Sequence, residues 1–133
     1  ELSFPLSVVF VDADHFKRVN DEHGHDVGDQ VLVLLARTLR ANLPRDDLLA
    51  RWGGEEFVIV MPQTPVDEAV AVAERLRQVL TRVEWPAGLK VTASWGVAQA
   101  TTPAEVEAAL READQAMYRA KHEGRDRVIS ASA

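Results

Sequence analysis

Two acidic residues lie beside short apolar runs that are typical of buried strands. Asp12 follows the run 6–11, and Glu55 belongs to the Gly-Gly-Glu-Glu segment 53–56, which precedes the run 57–61. Two carboxylates held close together suit Mg²⁺, which keeps several waters and often shares its coordination shell with substrate phosphates. The two glycines of the segment let the backbone approach a ligand closely, because they carry no side chain.

Three basic residues, Lys17, Lys121 and Arg125, could neutralise a polyphosphate bound beside such a metal. Carboxylates, glycines and cations together indicate metal-assisted phosphoryl or nucleotidyl transfer. Each feature also has a structural explanation. A Gly-Gly-Glu-Glu turn can be a solvated hairpin, an Asp after a strand can cap a helix, and basic residues near a helix end complement its dipole.

These side chains can act together only if the fold brings them to one place. Hydrophobic periodicity and the Gly and Pro positions predict strands over 6–11, 48–52, 57–61, 91–98 and 128–129, and helices over 14–24, 27–43, 65–83 and 103–123. The order of strands and helices matches a ferredoxin-like βαββαβ core of the α+β class, with an extra helix and strand. In that fold the first strand pairs antiparallel with the third, which brings Asp12 and the turn with Glu55 and Glu56 to the same edge.

Two details of packing and capping also follow from the pattern. Trp52, Trp95 and Met117 fall at positions that we expect to face the core. The segment Thr-Pro-Ala-Glu at 102–105 predicts a capping box at the start of the last helix.

Composition limits the classes of function. The chain of 133 residues fits one domain, residues 1–133, and its net charge of −6 argues against a protein that binds duplex nucleic acid. The absence of cysteine excludes disulfide scaffolds, thiol catalysis and thiolate metal sites. The sequence has no apolar run long enough for a membrane span and does not open with a signal peptide. We therefore expect a cytoplasmic domain that contacts neither nucleic acid nor membrane.

Five segments resemble the signature motifs of GGDEF-domain diguanylate cyclases, in the same order along the chain. They read Asp-Ala-Asp-His-Phe-Lys-Arg-Val-Asn-Asp at 12–21, Gly-His-Asp-Val-Gly-Asp at 24–29, Arg-Trp-Gly-Gly-Glu-Glu-Phe at 51–57, Ser-Trp-Gly-Val at 94–97 and Tyr-Arg-Ala-Lys-His-Glu-Gly-Arg at 118–125. The resemblance covers about residues 5–128, and five linked motifs are highly specific. It implies the palm-like variant of the ferredoxin-like fold.

The resemblance implies a metal site and catalytic residues. Asp12 and Glu55, with the backbone carbonyl of Ala13, would hold two Mg²⁺ ions for each GTP, and Mn²⁺ is a possible substitute. Glu55 could also help to deprotonate the attacking ribose 3′-hydroxyl. Lys17 would stabilise charge on the phosphate that is transferred.

Further residues would bind the substrate. Asn20 and Asp29 would hydrogen-bond the guanine edge, with His25 nearby, and Asp29 would select guanine because a carboxylate accepts from its N1–H and exocyclic amine. Lys121 and Arg125 would hold the β- and γ-phosphates. The nucleotide site would also include Gly53, Gly54 and Glu56.

The implied reaction joins two GTP molecules into cyclic di-GMP and releases two pyrophosphates. Each domain would bind one GTP, so two copies must meet in a transient homodimer. Three alternatives remain open from the sequence. They are a module of the same fold that binds GTP or cyclic di-GMP without turnover, a cyclase that makes a 3′,5′-cyclic mononucleotide, and an interaction domain with no active site.

The sequence departs from the family pattern at several positions. The product-binding Arg-x-x-Asp motif is degenerate, because Pro44 takes the arginine position although Asp47 matches, so we expect weak inhibition by cyclic di-GMP. Trp95 replaces a small aliphatic residue, and Asp126, which stands where Asn is common, is expected to weaken the site slightly. The family's opening helix and Asp-x-Leu-Thr-Gly-Leu-x-Asn-Arg stretch are missing, which suggests a domain cut from a longer protein with an upstream sensory or regulatory domain.

Overall fold

A five-stranded sheet forms the centre of the domain in the computed structural model, which describes residues 3–131. The strands are β1 (Leu6–Ala13), β2 (Leu48–Arg51), β3 (Glu56–Met61), β4 (Ala93–Ala100) and β5 (Arg127–Ser130). They lie in the order β2-β3-β1-β4-β5, and neighbours are antiparallel except β4 and β5. The predicted α+β, ferredoxin-like arrangement with an extra strand is therefore confirmed, including the antiparallel pairing of the first and third strands.

Helices cover both faces of the sheet. They are α1 (Phe16–His23), α2 (His25–Ala41), α3 (Val66–Val79) and α4 (Val106–His122). One face packs against α1, α2 and α3, and the other packs against α4. Because helices lie on both sides, every residue of β1 is buried, and this explains why its sequence lacks polar alternation.

Gly96 fixes the position of α4 on the sheet. A side chain at this residue of β4 would overlap the carbonyl oxygen of Ala113 and the backbone nitrogen of Met117, so the helix can approach the strand this closely only over a glycine. The close approach fixes where the last turn of α4, with Lys121, lies relative to the end of β1.

Several predicted details are wrong or shifted. Trp52 is 58% exposed, because it follows the edge strand β2, and its ring contacts the ring of Phe10 edge-on at 5.6 Å between centroids. Trp95 and Met117 are buried as predicted, although Trp95 Nε1 has no hydrogen-bond partner within residues 3–131. Strand β4 begins at Ala93, two residues later than predicted.

The predicted capping box at 102–105 does not form. Residues 103–105 make a short 3₁₀ turn, and α4 begins after it. The Thr102 hydroxyl makes no capping bond, whereas Glu105 Oε1 accepts a hydrogen bond from the backbone N–H of Thr101 at 2.7 Å. The Glu105 side chain thus accepts from the N–H of Thr101 instead of the N–H of Thr102, which a capping box would use. Among the helices described, none is both long and apolar enough to cross a membrane.

Candidate active site

The end of β1 and the Gly-Gly-Glu-Glu turn meet at one edge of the sheet, as predicted. Asp12 lies opposite Glu56 in the β1–β3 register, and the backbone N–H of Ala13 donates to the carbonyl of Glu55 at 3.3 Å. The acidic residues of the turn are thus fixed beside Asp12 by backbone hydrogen bonds. They reach this edge from distant parts of the sequence because β1 lies next to β3.

The last turn of α4 adds a cation to these carboxylates. Lys121 Nζ lies 3.0 Å from Asp12 Oδ1 and 3.6 Å from Asp14 Oδ1. The contact with Asp12 is an ion pair, and Asp12 Oδ1 is buried without a further hydrogen-bond donor from residues 3–131. This oxygen retains the capacity to bind another cation.

Burial makes the negative charge of Asp12 unfavourable. Burial is the largest cause that raises the pKa of this carboxyl from 3.8 to about 6; the charges of Glu55 and Glu56 act in the same direction, and Lys121 opposes them. The pKa of Glu56 is raised for the same reason, by burial and by the charges of Asp114 and Glu55. A bound divalent cation would offset this repulsion.

We expect Asp12→Asn to stabilise the metal-free domain at pH 8 by about 1–3 kcal/mol, as an increase of several degrees in melting temperature. Because the folded-state pKa lies above the unfolded value, the folded state binds the proton more tightly. The destabilisation is therefore complete above pH 6 and disappears as the pH falls towards 4. Thermal unfolding in EDTA from pH 4 to pH 8 measures the effect.

Asp26→Asn, at an exposed residue in the first turn of α2, is the matched control for loss of one negative charge. An increase in melting temperature for Asp12→Asn that does not change with pH would contradict the assignment of the destabilisation to the Asp12 carboxyl. A loss of stability at pH 8 would contradict it as well.

A polar cleft of about 460 Å³ opens beside the carboxylates. Its lining includes Lys17, Glu55, Lys121 and Arg125, which are four of the predicted site residues, together with His15, Phe16, Arg18, Asp21 and Glu22. Within residues 3–131 the side chains of Lys17 and Glu55 make no hydrogen bond or ion pair. Buried Arg125 Nε also lacks a hydrogen-bond partner in this part of the chain. The cleft therefore contains charged groups that are free to bind a ligand.

A second, more apolar groove of about 540 Å³ lies between α2 and the β2–β3 hairpin. Asp29 lies at this groove, which is otherwise lined by Arg51 and by Leu32, Val33, Ala36, Leu49 and Phe57. The side chain of Asn20 packs against Gly28, where a Cβ would overlap its Oδ1. Gly28 thus allows Asn20 to lie next to the turn of α2 that carries Asp29. His25 is exposed at the start of the same helix.

The turn 53–56 is held by a residue to which the sequence analysis gave no role. Arg51 donates from Nε and Nη2 to the carbonyl of Gly54 at 3.1 and 2.5 Å, and from Nε to the carbonyl of Gly53 at 3.2 Å. Its position just before the two glycines was visible in the motif. Because the contacts involve backbone carbonyls, the sequence pattern did not indicate them.

Asp126 does not add an uncompensated charge to the site, in contrast to the expectation from sequence. Its Oδ1 lies 3.1 Å from Nη1 of Arg77 on α3, which also pairs with Glu74. The backbone N–H of Asp126 donates to the buried carboxylate of Asp14 at 3.0 Å. Asp14 is the second residue whose contribution the sequence analysis missed, although its spacing from Asp12 places both on one side of β1.

The segment 44–47, which was compared above with the product-binding motif, lies before β2. Asp47 is buried, and burial raises the pKa of its carboxyl. Arg40 donates to the carbonyls of Pro44 and Asp47, each at 2.8 Å, and so ties the segment to α2. Weak inhibition by cyclic di-GMP stays a prediction.

The residues at the edge fit Mg²⁺ by their chemistry. Asp12 and Glu55 supply oxygen ligands, and the buried charge of Asp12 favours a cation. No group of three or more Asp, Glu or His side chains within residues 3–131 is arranged to hold a metal alone. This agrees with the usual behaviour of Mg²⁺, which takes one or two carboxylates and completes its shell with phosphates and water.

Comparison with known proteins gives a consistent result. The family model for the GGDEF domain of diguanylate cyclases matches residues 2–127. The chain is 42% identical over 125 residues to diguanylate cyclase DgcM of Escherichia coli K12, covering 94% of this chain and 30% of that protein. It is 39% identical over 135 residues to the response regulator PleD of Caulobacter vibrioides, covering 97% and 30%.

A solved structure agrees over nearly the whole chain. The active GGEEF domain of a diguanylate cyclase from Vibrio cholerae superposes with a TM-score of 0.89 at 35% identity, covering 96% of this chain and 83% of that one. The chain spans about 30% of the length of the two curated relatives.

Proposed function

The chain belongs to the family of GGDEF-domain diguanylate cyclases, and we propose that it condenses two GTP molecules into cyclic di-GMP and two pyrophosphates with Mg²⁺. The observation that carries this proposal is the meeting of Asp12, Glu55 and Lys121 at one edge of the sheet, beside a cleft that is also lined by Lys17 and Arg125. Acidic metal ligands next to cations are what nucleotidyl transfer from a triphosphate requires.

Asp12, Glu55 and the carbonyl of Ala13 would hold the metal, as two Mg²⁺ ions or with Mn²⁺ in their place. The metal would supply charge neutralisation at the α-phosphate and a lower pKa for the 3′-hydroxyl. The remaining contributions come from the side chains of the cleft and the groove.

Cations of the cleft would bind the triphosphate. Lys121 and Arg125 face the cleft from α4 and the loop after it, where they would hold the β- and γ-phosphates. Lys17, in the first turn of α1, would stabilise the charge that develops during transfer. The free N–H groups at the start of that helix favour an anion in the same place.

Asn20 and Asp29 would recognise guanine at the groove beside α2. The Asp29 carboxylate would accept from the N1–H and the exocyclic amine, and Asn20 would add a further hydrogen bond, with His25 at the rim. The backbone of Gly53 and Gly54 and the side chain of Glu56 would complete the nucleotide site.

The chemistry requires two copies of the domain. The 3′-oxygen of one GTP attacks the α-phosphorus of the GTP in the other copy, and the bond from that phosphorus to the β-phosphate bridging oxygen breaks. Pyrophosphate leaves with the electron pair, and the 3′-hydroxyl proton passes to Glu55 or to water. The reciprocal attack closes the ring. A transient homodimer is therefore the active species.

Control of this encounter would come from outside the domain. The relatives are about three times as long as the stretch they share with this chain, and one of them is named a response regulator. We accordingly propose an upstream sensory or regulatory domain that determines how often two copies meet. A cytoplasmic location would supply the GTP.

Incubation with GTP and Mg²⁺ over a series of protein concentrations tests the proposal, with chromatography to identify the product. We expect cyclic di-GMP to rise more steeply than linearly with protein concentration. Binding of GTP without product would favour the module that senses nucleotide. A 3′,5′-cyclic mononucleotide would support the alternative cyclase, and absence of GTP binding would leave an interaction domain.

A further inference from the structure

The buried carboxylate of Asp14 has no part in the metal and substrate sites described above. Its Oδ1 accepts a hydrogen bond from Ser94 Oγ at 2.6 Å, and its Oδ2 accepts from Thr92 Oγ1 at 2.7 Å. Oδ2 also accepts from the backbone N–H of Asp126 at 3.0 Å, and Lys121 Nζ lies 3.6 Å from Oδ1. A buried acid with this many partners is a structural junction.

The junction joins three parts of the chain. Asp14 follows β1, Thr92 directly precedes β4 and Ser94 is its second residue, and Asp126 lies in the loop between α4 and β5. The two hydroxyls hold the carboxylate against β4, so its remaining contacts, to Lys121 and to the loop, are made at a fixed distance from Asp12. The contacts of Asp14 therefore fix the positions of Lys121 and Arg125 relative to the edge of the sheet that carries Asp12.

The loop that carries Arg125 needs such an anchor, because its backbone is strained. Gly124, Arg125 and Asp126 have φ angles of 124°, 62° and 47°, and two of them are not glycine. Side-chain-bearing residues rarely adopt this region and persist there only when surrounding contacts hold them. The contacts are Arg125 N to the carbonyl of Ala120, Asp126 to Arg77, and Asp126 N to Asp14.

We propose that Asp14 is a positioning residue for the two cations that bind the terminal phosphates. It holds Lys121 directly, through the opposite charge, and it holds Arg125 indirectly, through the Asp126 backbone. Its loss would allow the loop to relax and Lys121 to lean fully towards Asp12. Binding of the β- and γ-phosphates would suffer, whereas binding of the guanosine and the α-phosphate would not. This inference rests on the proposed function.

Asp14→Asn tests it, because the substitution removes the charge and replaces one acceptor oxygen with an amide at nearly constant volume. Dissociation constants are measured by NMR titration for GMP and for the α,β-methylene analogue of GTP, which cannot release pyrophosphate. The preference for the triphosphate over GMP is expected to fall roughly tenfold to a hundredfold, while the GMP constant changes less than about threefold. The Asp126 amide should also exchange its hydrogen faster.

Two variants calibrate the measurement. Arg125→Ala should reduce the preference for the triphosphate in the same way, whereas Asp67→Asn, an exposed Asp→Asn change at the start of α3, should leave it unaltered. Should Asp14→Asn fail to fold, Ser94→Ala loosens the same carboxylate and should lower the preference by roughly threefold to tenfold.

An equal loss of affinity for GMP and for the triphosphate analogue in a folded variant would overturn the proposal, since it would mean general damage to the nucleotide site. An unchanged preference would overturn it as well. A wild-type domain that binds the triphosphate no better than GMP would instead contradict the proposed function. The two failures are therefore distinguishable.

Discussion

Glu55→Gln is expected to lower the rate of cyclic di-GMP formation by at least roughly 10³-fold, while melting temperature and circular dichroism stay close to those of the wild type. The Glu55 side chain lines the polar cleft and forms no hydrogen bond or ion pair with another residue of the described part of the chain. Its replacement by the isosteric amide therefore leaves no buried partner unsatisfied. The expected loss comes from the metal-binding charge and from the base for the 3′-hydroxyl.

The fold itself does not depend on that side chain. The turn is held by backbone contacts, through the carbonyls of Glu55 and Glu56 and through Arg51, and all of them survive the substitution. Because backbone contacts hold the turn and the Glu55 side chain does not, a loss of rate in Glu55→Gln reports on catalysis and not on the fold.

Two controls make the Glu55 experiment specific. Glu107→Gln removes the same charge from an exposed position in the first turn of α4 and should keep the wild-type rate within about twofold. Glu55→Asp keeps the charge on a shorter side chain and should recover part of the lost rate, more so at high Mg²⁺. Turnover by Glu55→Gln close to that of the wild type would exclude Glu55 as a metal ligand.

The topology of the domain could be predicted because hydrophobic periodicity and the Gly and Pro positions set the order of the strands. Once β1 is paired with β3, Asp12 and Glu55 must lie at one edge, and the structure brings them there. The exposure of Trp52 could not be read from its apolar character. That residue follows an edge strand, while α4 packs on β1, β4 and β5.

The supporting contacts of the site were harder to predict for a physical reason. Arg51 donates to backbone carbonyls, and Asp14 accepts from a backbone amide. Because backbone groups are nearly the same in all residues, the residue types do not reveal these contacts. The junction at Asp14 also needs the register of β1 with β4, which sets Thr92 and Ser94 beside it. Residue types therefore identify candidate reactive groups well, but they do not identify the backbone contacts that hold those groups in position.

Asp29→Ala is the substitution for which we expect the largest change in base selectivity. Asp29 lies at the apolar groove, and its carboxylate makes no hydrogen bond or ion pair within residues 3–131, so it is free to accept hydrogen bonds from a ligand. Guanine offers two donors to one carboxylate, its N1–H and its exocyclic amine. Adenine has an acceptor at N1 beside its 6-amino group, so a carboxylate can accept only one hydrogen bond there and its second oxygen faces the N1 lone pair.

Affinity for the α,β-methylene analogue of GTP is therefore expected to fall roughly 10²-fold in Asp29→Ala, while affinity for the ATP analogue changes less than about threefold. Asp26→Ala is the matched control, because it removes an acidic side chain from the first turn of the same helix. It should weaken the binding of both analogues slightly and to the same extent. Titration of each variant with both analogues measures the ratio directly. Equal losses for the two bases would assign Asp29 to the stability of α2, since only a residue in contact with the base can distinguish N1–H from N1.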